Sequence, residues 1–398
     1  MSPLAITACT VTSAIGRGLA ATLESLRDAR GGLVRCTFET VVLDTWVGEV
    51  PGVDATAVPK PLADEYDCRN NRLAWLGLTA DGFAEAVERS AARHGRRRVG
   101  VFLGTSTSGI LETELAYRRR DPESGALPED FRYRGAHNTF SLAAFARRAL
   151  RLEGPAVVIS SACSSSAKTF ASAQRAIAAG VIDAALVGGV DSLCLTTLYG
   201  FHSLQLVSRT PCRPFDAARE GISIGEAAAF ALIERAPSRL DADAVLLLGC
   251  GESSDAYHMS SPPPDGRGAR RAMELALEGA ELSAAAIDYI NFHGTGTASN
   301  DAAEARAVAE VLGREIPGSS TKGATGHTLG AAGALEAVIC VLALRHGLMP
   351  AGINTTQVDP TLPVRYLLEN RSVPMRRVMT NSFGFGGSNC SLILGHAT

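Results

Sequence analysis

The chain has 398 residues, 46% of them hydrophobic and 20% charged, with 38 basic against 41 acidic side chains and a formal net charge of −3. That balance describes an ordinary globular chain, long enough for one large or two average domains, and nothing in it suggests nucleic acid. The start lacks the basic region and long apolar core of a secretory signal, and the nine cysteines are scattered with no C-x-x-C pair, so a cytoplasmic protein with no membrane span, no disulfide framework and no zinc site is expected.

Apolar runs predict strands over 99–103 and 156–159. After the second comes Ile-Ser-Ser-Ala-Cys-Ser-Ser-Ser-Ala-Lys, and then an Ala-rich run that predicts a helix over 164–179, closed by Gly180. Cys163 therefore stands at a helix start. Unpaired N–H groups and partial positive charge there favour thiolate over thiol and can bind a developing oxyanion. On local grounds alone, a small buried cysteine without chemistry fits the position as well. A strand over 184–188 completes a strand, helix, strand order, the pattern of a parallel βαβ unit.

Beyond Glu234 the same style repeats: a strand over 244–248, a helix over 270–278, a strand over 289–292, helices over 301–312 and 331–344, and strands around Val378 and Ser391. Alternation of this kind is an α/β signature. His293 follows a strand and precedes Gly-Thr-Gly-Thr, at the strand end where ligands gather in parallel sheets. His327 precedes the 331–344 helix, whose N-terminus pushes an imidazole toward its neutral form. Asp301 reads as an N-terminal helix residue. Asp301 and Glu304 find no third ligand at metal spacing, so no metal site is expected. Glycines 384, 386 and 387 permit a loop that aims N–H groups at a ligand, or a tight turn between two strands.

Six motifs stand in order along nearly the whole chain: Ser-Ala-Cys-Ser-Ser-Ser-Ala at 161–167, Arg-Pro-Phe-Asp at 213–216, Asp-Ala-Tyr-His-Met at 255–259, His-Gly-Thr-Gly-Thr at 293–297, Lys-Gly-Ala-Thr-Gly-His at 322–327 and Asn-Ser-Phe-Gly-Phe-Gly-Gly at 381–387. Together they resemble the β-ketoacyl synthases, the elongating condensing enzymes of fatty acid and polyketide synthesis. The resemblance implies the thiolase fold, two related α/β halves in five alternating layers, with residues 1–240 carrying the cysteine and 241–398 carrying both histidines.

The resemblance also implies roles. Cys163 takes the acyl chain, with the N–H groups of Cys163 and Phe385 as its oxyanion hole. His293 and His327 assist decarboxylation of a malonyl thioester. Lys322 and Glu304 form an ion pair that orients His327. Thr295 and Thr297 bind the phosphopantetheine arm, and Phe383, Gly384 and Gly386 line its path. No cofactor is implied beyond the phosphopantetheine of the acyl carrier protein. Carrier-protein docking falls to basic residues, with Arg69, Arg72, Arg118, Arg119, Arg120 and Arg213 as candidates. The expected assembly is a homodimer or a pair with a homologous subunit. A non-catalytic chain-length-factor-like partner and a Cys-His acyltransferase or hydrolase are the alternatives; the Cys-His-His set argues against both. Lys168, where housekeeping members commonly have His, points to a specialised pathway of aryl-polyene or related type. As one of only three lysines in the chain, it also reads as a salt-bridged helix residue. The segment 104–110, rich in small residues, lies where relatives line the acyl tunnel.

Overall fold

A computed structural model describes residues 2–237, 239–241 and 243–397. Five strands of the first half are β1 (Leu4–Ser13), β2 (Val99–Gly104), β3 (Ala156–Ile159), β4 (Ala184–Asp191) and β5 (Ala227–Arg235). The second half supplies β6 (Val245–Ser254), β7 (Tyr289–Asn291), β8 (Pro317–Ser319), β9 (Arg377–Gly384) and β10 (Ser388–His396). They form one mixed sheet in the order β8-β7-β9-β10-β6-β1-β5-β4-β2-β3. Read outward from the centre, the two halves share the same order and strand directions, two antiparallel pairings followed by two parallel ones, and a short parallel strand at Arg365–Tyr366 extends the second half beyond β8. The register pairs Leu4↔Leu247 and Ala5↔Leu246 join the halves through the sheet.

Helices add three layers. Helices α1 (Arg69–Leu78), α2 (Phe83–His94) and α3 (Ser141–Ala149) cover the outer face of the first half, where Leu73, Val87, Leu142 and Phe145 pack on Val101, Leu186 and Phe230. Helix α4 (Ser165–Ala178) follows β3. Helices α5 (Arg267–Ala280) and α6 (Ala298–Val311) cover the outer face of the second half, with Ala272, Met273, Ala276 and Val308 against Ile290 and Ile393. Helix α7 (Ala332–His346) lies with α4 between the two sheet halves. The result is the five-layer arrangement of the thiolase fold.

Helix α7 is buried on every face from Ala332 to Leu344, which explains why that stretch is apolar apart from Glu336. With the turn before it, it forms a stretch long and apolar enough to cross a membrane, but that stretch is core, 89% buried inside the protein. Its close neighbour is α4. A Cβ on Gly333 would come within 2.7 Å of Ala167, and Ser166 Oγ accepts the Ala334 N–H at 2.9 Å. Small residues thus bring the N-terminal ends of the two central helices together.

Local pattern and final structure differ at several boundaries. Helix α6 begins at Ala298, ahead of the 301 start expected, and the strand expected over 244–248 runs on to Ser254 because β10 pairs with it past a bulge. The segment Ala-Ala-Ala-Phe-Ala-Leu-Ile in β5 is rich in helix formers yet is extended. Its pairing with β1 and β4 on both edges and burial on both faces override propensity. All nine cysteines are free thiols.

Candidate active site

Cys163 sits in the tight turn from β3 into α4. Ala162 is held at φ 52°, an uncommon backbone region for a residue with a side chain. Serines hold the turn: Ser165 Oγ bonds the Ala162 carbonyl at 2.6 Å and accepts the Ser161 N–H at 2.9 Å, and Ser164 Oγ bonds the Ser161 carbonyl at 3.0 Å. This is the local reason for the run of hydroxyl residues around the cysteine.

The expectation of a ready thiolate needs correction. Burial pushes the Cys163 thiol up to about 11, outweighing the Phe385 N–H, the charge of Lys322 and the cysteine's own N–H, which all pull it down. Desolvation of a charged sulfur wins over the helix N-terminus. The resting group is the thiol.

Phe385 reaches the sulfur because two loops approach closely. A Cβ on Gly384 would lie 2.7 Å from the Ser161 carbonyl oxygen. Beyond it, Gly386 adopts φ 78°, its N–H bonds the Met259 carbonyl at 2.7 Å, and the Asp255 N–H bonds the Gly387 carbonyl at 2.9 Å. The Phe385 ring packs on Phe201 at 5.4 Å between centroids.

The second half delivers the histidines. His293 follows β7, with the Glu304 carboxylate accepting its N–H and that of Gly294, each at 2.8 Å, and the Asn381 amide at 3.1 Å. His327 exchanges backbone bonds with the segment 223–225 beside it, donating to the Ser223 carbonyl at 2.7 Å and accepting from Gly225 at 2.9 Å. The imidazoles meet edge to face at 5.3 Å and 84°. Both are held well below the ordinary imidazole range by burial and then by Lys322, so both rings are neutral.

Their tautomers follow from what touches Nδ1. The Leu329 N–H donates to Nδ1 of His327 at 3.1 Å, and Lys322 Nζ lies 3.4 Å from Nδ1 of His293. With Nδ1 receiving a donor in each ring, the proton of each neutral imidazole is on Nε2. One ligand atom each from Cys163, His293 and His327 lies within 4.8 Å of the others, a donor set that would suit zinc. A ring whose Nε2 carries the proton offers a hydrogen bond and not a lone pair. The arrangement therefore favours stabilising a negatively charged oxygen.

The expected Lys322–Glu304 ion pair is absent from this geometry. Lys322 pairs instead with Glu336, one turn into α7, and also bonds the His293 carbonyl. Glu304 is occupied by the two N–H groups and the amide named above, and burial raises it to about 7. Lys322 therefore sets His293 more directly than His327. Asp301, in the first turn of α6 as expected, also accepts the N–H groups of Phe215 and Thr295 at 2.8 and 3.0 Å.

A cleft opens on these groups and is lined by Cys163, His293, His327, Thr295, Thr297 and the segment 383–387. The Thr295 and Thr297 hydroxyls bond each other at 2.8 Å at its wall. Sequence reasoning missed Phe201, Ile222 and Ser260 on the lining, since isolated apolar and hydroxyl residues carry no spacing signal. It also missed Glu336, hidden in an apolar helix.

The docking arginines separate. Arg69 is only 2% exposed, wedged between Glu226, Asp54 and Glu49 and set over the Phe38 ring, so it cannot present charge to a partner. Arg72 is half-buried and bidentate to Asp67, and Arg213 is half-buried and bonded to Thr210. Arg118, Arg119 and Arg120 are exposed. Lys168 lies on α4 and turns to Glu252 at 3.5 Å.

A thiol at a strained helix entrance, faced by an amide N–H and two N–H-bearing neutral imidazoles, is built to take an acyl group and to hold negative oxygen, which on this fold is the business of the thiolase-type condensing enzymes. The comparisons narrow the class. Residues 72–238 match the family described as "Beta-ketoacyl synthase, N-terminal domain" and residues 244–356 the "Beta-ketoacyl synthase, C-terminal domain". A 3-oxoacyl-[acyl-carrier-protein] synthase 2 from Vibrio harveyi is 31% identical, with 98% of this chain and 97% of that protein covered. The mitochondrial 3-oxoacyl-[acyl-carrier-protein] synthase of Arabidopsis thaliana is 38% identical over 61% of this chain, and the match spans 56% of that relative's length. A ketosynthase solved in complex with its chain length factor, from Xenorhabdus doucetiae, superposes with a TM-score of 0.88 at 39% identity, covering 100% of this chain and 98% of that one. The chain belongs to the β-ketoacyl synthase family.

Proposed function

We propose that the protein is an elongating β-ketoacyl-[acyl carrier protein] synthase. The observation that carries this reading is the pair of neutral imidazoles, each with its proton on Nε2, beside a buried thiol that faces the Phe385 N–H. A hydrolase needs one imidazole free to accept a proton; this geometry offers two donors.

In the first half-reaction the Cys163 sulfur attacks the carbonyl of an acyl thioester on the carrier protein. The N–H groups of Cys163 and Phe385 stabilise the tetrahedral oxyanion, the carrier's pantetheine sulfur leaves, and the thiol proton goes with it. In the second, malonyl thioester loses CO2, and the electron pair left behind forms an enolate whose oxygen receives the Nε2–H groups of His293 and His327. The enolate carbon attacks acyl-Cys163, a C–C bond forms, the C–S bond breaks, and the sulfur leaves as a thiolate that takes one proton from water to restore the resting thiol. One such donor contributes about 3 kcal/mol to lowering the barrier. Thr295 and Thr297 line the route of the pantetheine arm, and the exposed Arg118 and Arg120 offer charge to an acidic carrier protein, while Arg119 is paired with Asp130.

The partner is a homologous ketosynthase-like subunit or a second copy. Two features support this: the outer edge of β3, Ala-Val-Val-Ile, has no strand partner among the described residues, and the Xenorhabdus ketosynthase was solved with such a subunit. That likeness also favours a specialised polyketide-type pathway over bulk fatty acid synthesis. The test is to incubate the protein with acyl and malonyl carrier proteins and follow Cys163 by intact mass. An acyl adduct that never yields a β-ketoacyl product would overturn the reading.

A further inference from the structure

Asp191, at the end of β4, is fully buried and is absent from the chemistry described above. Its carboxylate accepts six hydrogen bonds between 2.5 and 2.9 Å, all from neutral groups. Four reach Oδ1, from the Thr105 and Thr107 hydroxyls and the Ser106 and Thr107 N–H groups. Two reach Oδ2, from the Ser106 hydroxyl and the Gly330 N–H.

The last of these crosses from the first half to the second. Gly330 lies in the turn Leu329–Ala331 that opens α7, next to the residue whose N–H fixes the His327 tautomer. Leu329 holds φ 54°, a strained value for leucine that persists only where its surroundings impose it. The 2.6 Å bond from Gly330 to the carboxylate is such a restraint. The approach requires glycine: a Cβ on Gly330 would fall 2.8 Å from Asp191 Oδ2.

We propose that Asp191 is a positioning residue for the condensation, anchoring the Leu329–Ala331 turn so that the Leu329 N–H keeps the His327 proton on Nε2. The proposal rests on the synthase reading for its consequence but not for its geometry. Asp191 acts across the two halves, and its negative charge opposes ionisation of Cys163. It therefore serves the imidazole while disfavouring the thiolate, and the two effects separate in experiment.

Asp191→Asn should place its amide oxygen toward the four donors on the Oδ1 side and turn its NH2 onto the Ser106 hydroxyl and the Gly330 N–H; the hydroxyl can rotate to accept from it, but the Gly330 N–H cannot, so the Gly330 contact is lost. Gly330→Ala breaks it from the other side. Both variants, with protein carrying 15N-labelled histidine, should show His327 shifting from a single Nε2–H tautomer to a mixture, and condensation should fall about 10- to 100-fold. Alkylation of Cys163 by iodoacetamide at fixed pH should not slow in Asp191→Asn and should rise as the opposing charge is lost. An unchanged tautomer in both variants, or alkylation falling in parallel with condensation, would overturn the proposal. If the wild-type protein forms no β-ketoacyl product, the tautomer and alkylation readouts still decide it, so the two readings fail separately.

Discussion

Cys163 and His327 occupy equivalent places in the two halves: one stands at the entrance to α4, which follows β3, and the other at the entrance to α7, which follows β8. Because α4 and α7 pack at Ala167 and Gly333 near their N-terminal ends, the internal repeat itself brings nucleophile and imidazole together. Each half thus contributes a helix start, and neither half holds the whole site.

Replacing either imidazole should divide the two half-reactions. His293→Ala or His327→Ala should lower condensation by about a hundredfold or more, since each removes a donor to the enolate oxygen. Acylation of Cys163, read by intact mass, should stay within several-fold of wild type. Equal loss in both steps would remove the assignment of the donors to decarboxylation.

Gly384→Ala should act on acylation instead. The added Cβ would press on the Ser161 carbonyl and move the Phe385 N–H away from the sulfur. Loss of that oxyanion donor should slow Cys163 acylation about a hundredfold. A rate within threefold of wild type, roughly the scatter of mutational effects, would show that Phe385 does not serve the oxyanion.

Glu304 provides a pH signature. Its carboxyl is at about 7 in the folded protein against an ordinary 4.5, so between those values the folded state binds a proton that the unfolded state has lost. Stability from this group is therefore present at low pH and declines as pH rises through about 7. Glu304→Gln should flatten the fall in urea midpoint between about pH 5 and 8 relative to wild type. An identical slope in both proteins would contradict the raised carboxyl.

Arg69 and Lys168 should behave as structural residues. Arg69→Ala leaves Glu226 buried without its cation and should cost about 3–5 kcal/mol in a denaturant titration. Lys168→Ala loses a partly exposed pair and should cost about 1 kcal/mol or less while leaving Cys163 acylation within a few-fold. A Lys168 variant that folds normally but fails to acylate would place that lysine in the chemistry after all.

Much of the site is legible in the chain because its chemistry depends on short local devices. The serines around Cys163, the glycines around Phe385 and the histidines set at a strand end and a helix start are all read within a few residues of one another. The errors arose where a side chain's partner is distant. The family resemblance pairs Lys322 with Glu304, while Glu336 sits in an apolar run that shows nothing of its charge partner. Arg69 reads as a surface residue until Glu226, far along the chain, closes over it. In β5, for which the sequence reading named no element, alanine-rich sequence is drawn into a central strand by neighbours on both sides.

Sequence alone determined the α/β class and the order of the motifs, because periodicity and turn chemistry act over a few residues; the thiolase fold and the residues that meet at the site came from the family resemblance those motifs carry. Only the tertiary structure decided the state of the thiol, the tautomers and the pairings: the Cys163 thiol at about 11, both imidazole protons on Nε2, Lys322 on Glu336, and Asp191 tied to Gly330. Those depend on burial and on contacts between the two halves, and neither exists until the halves have packed around α4 and α7.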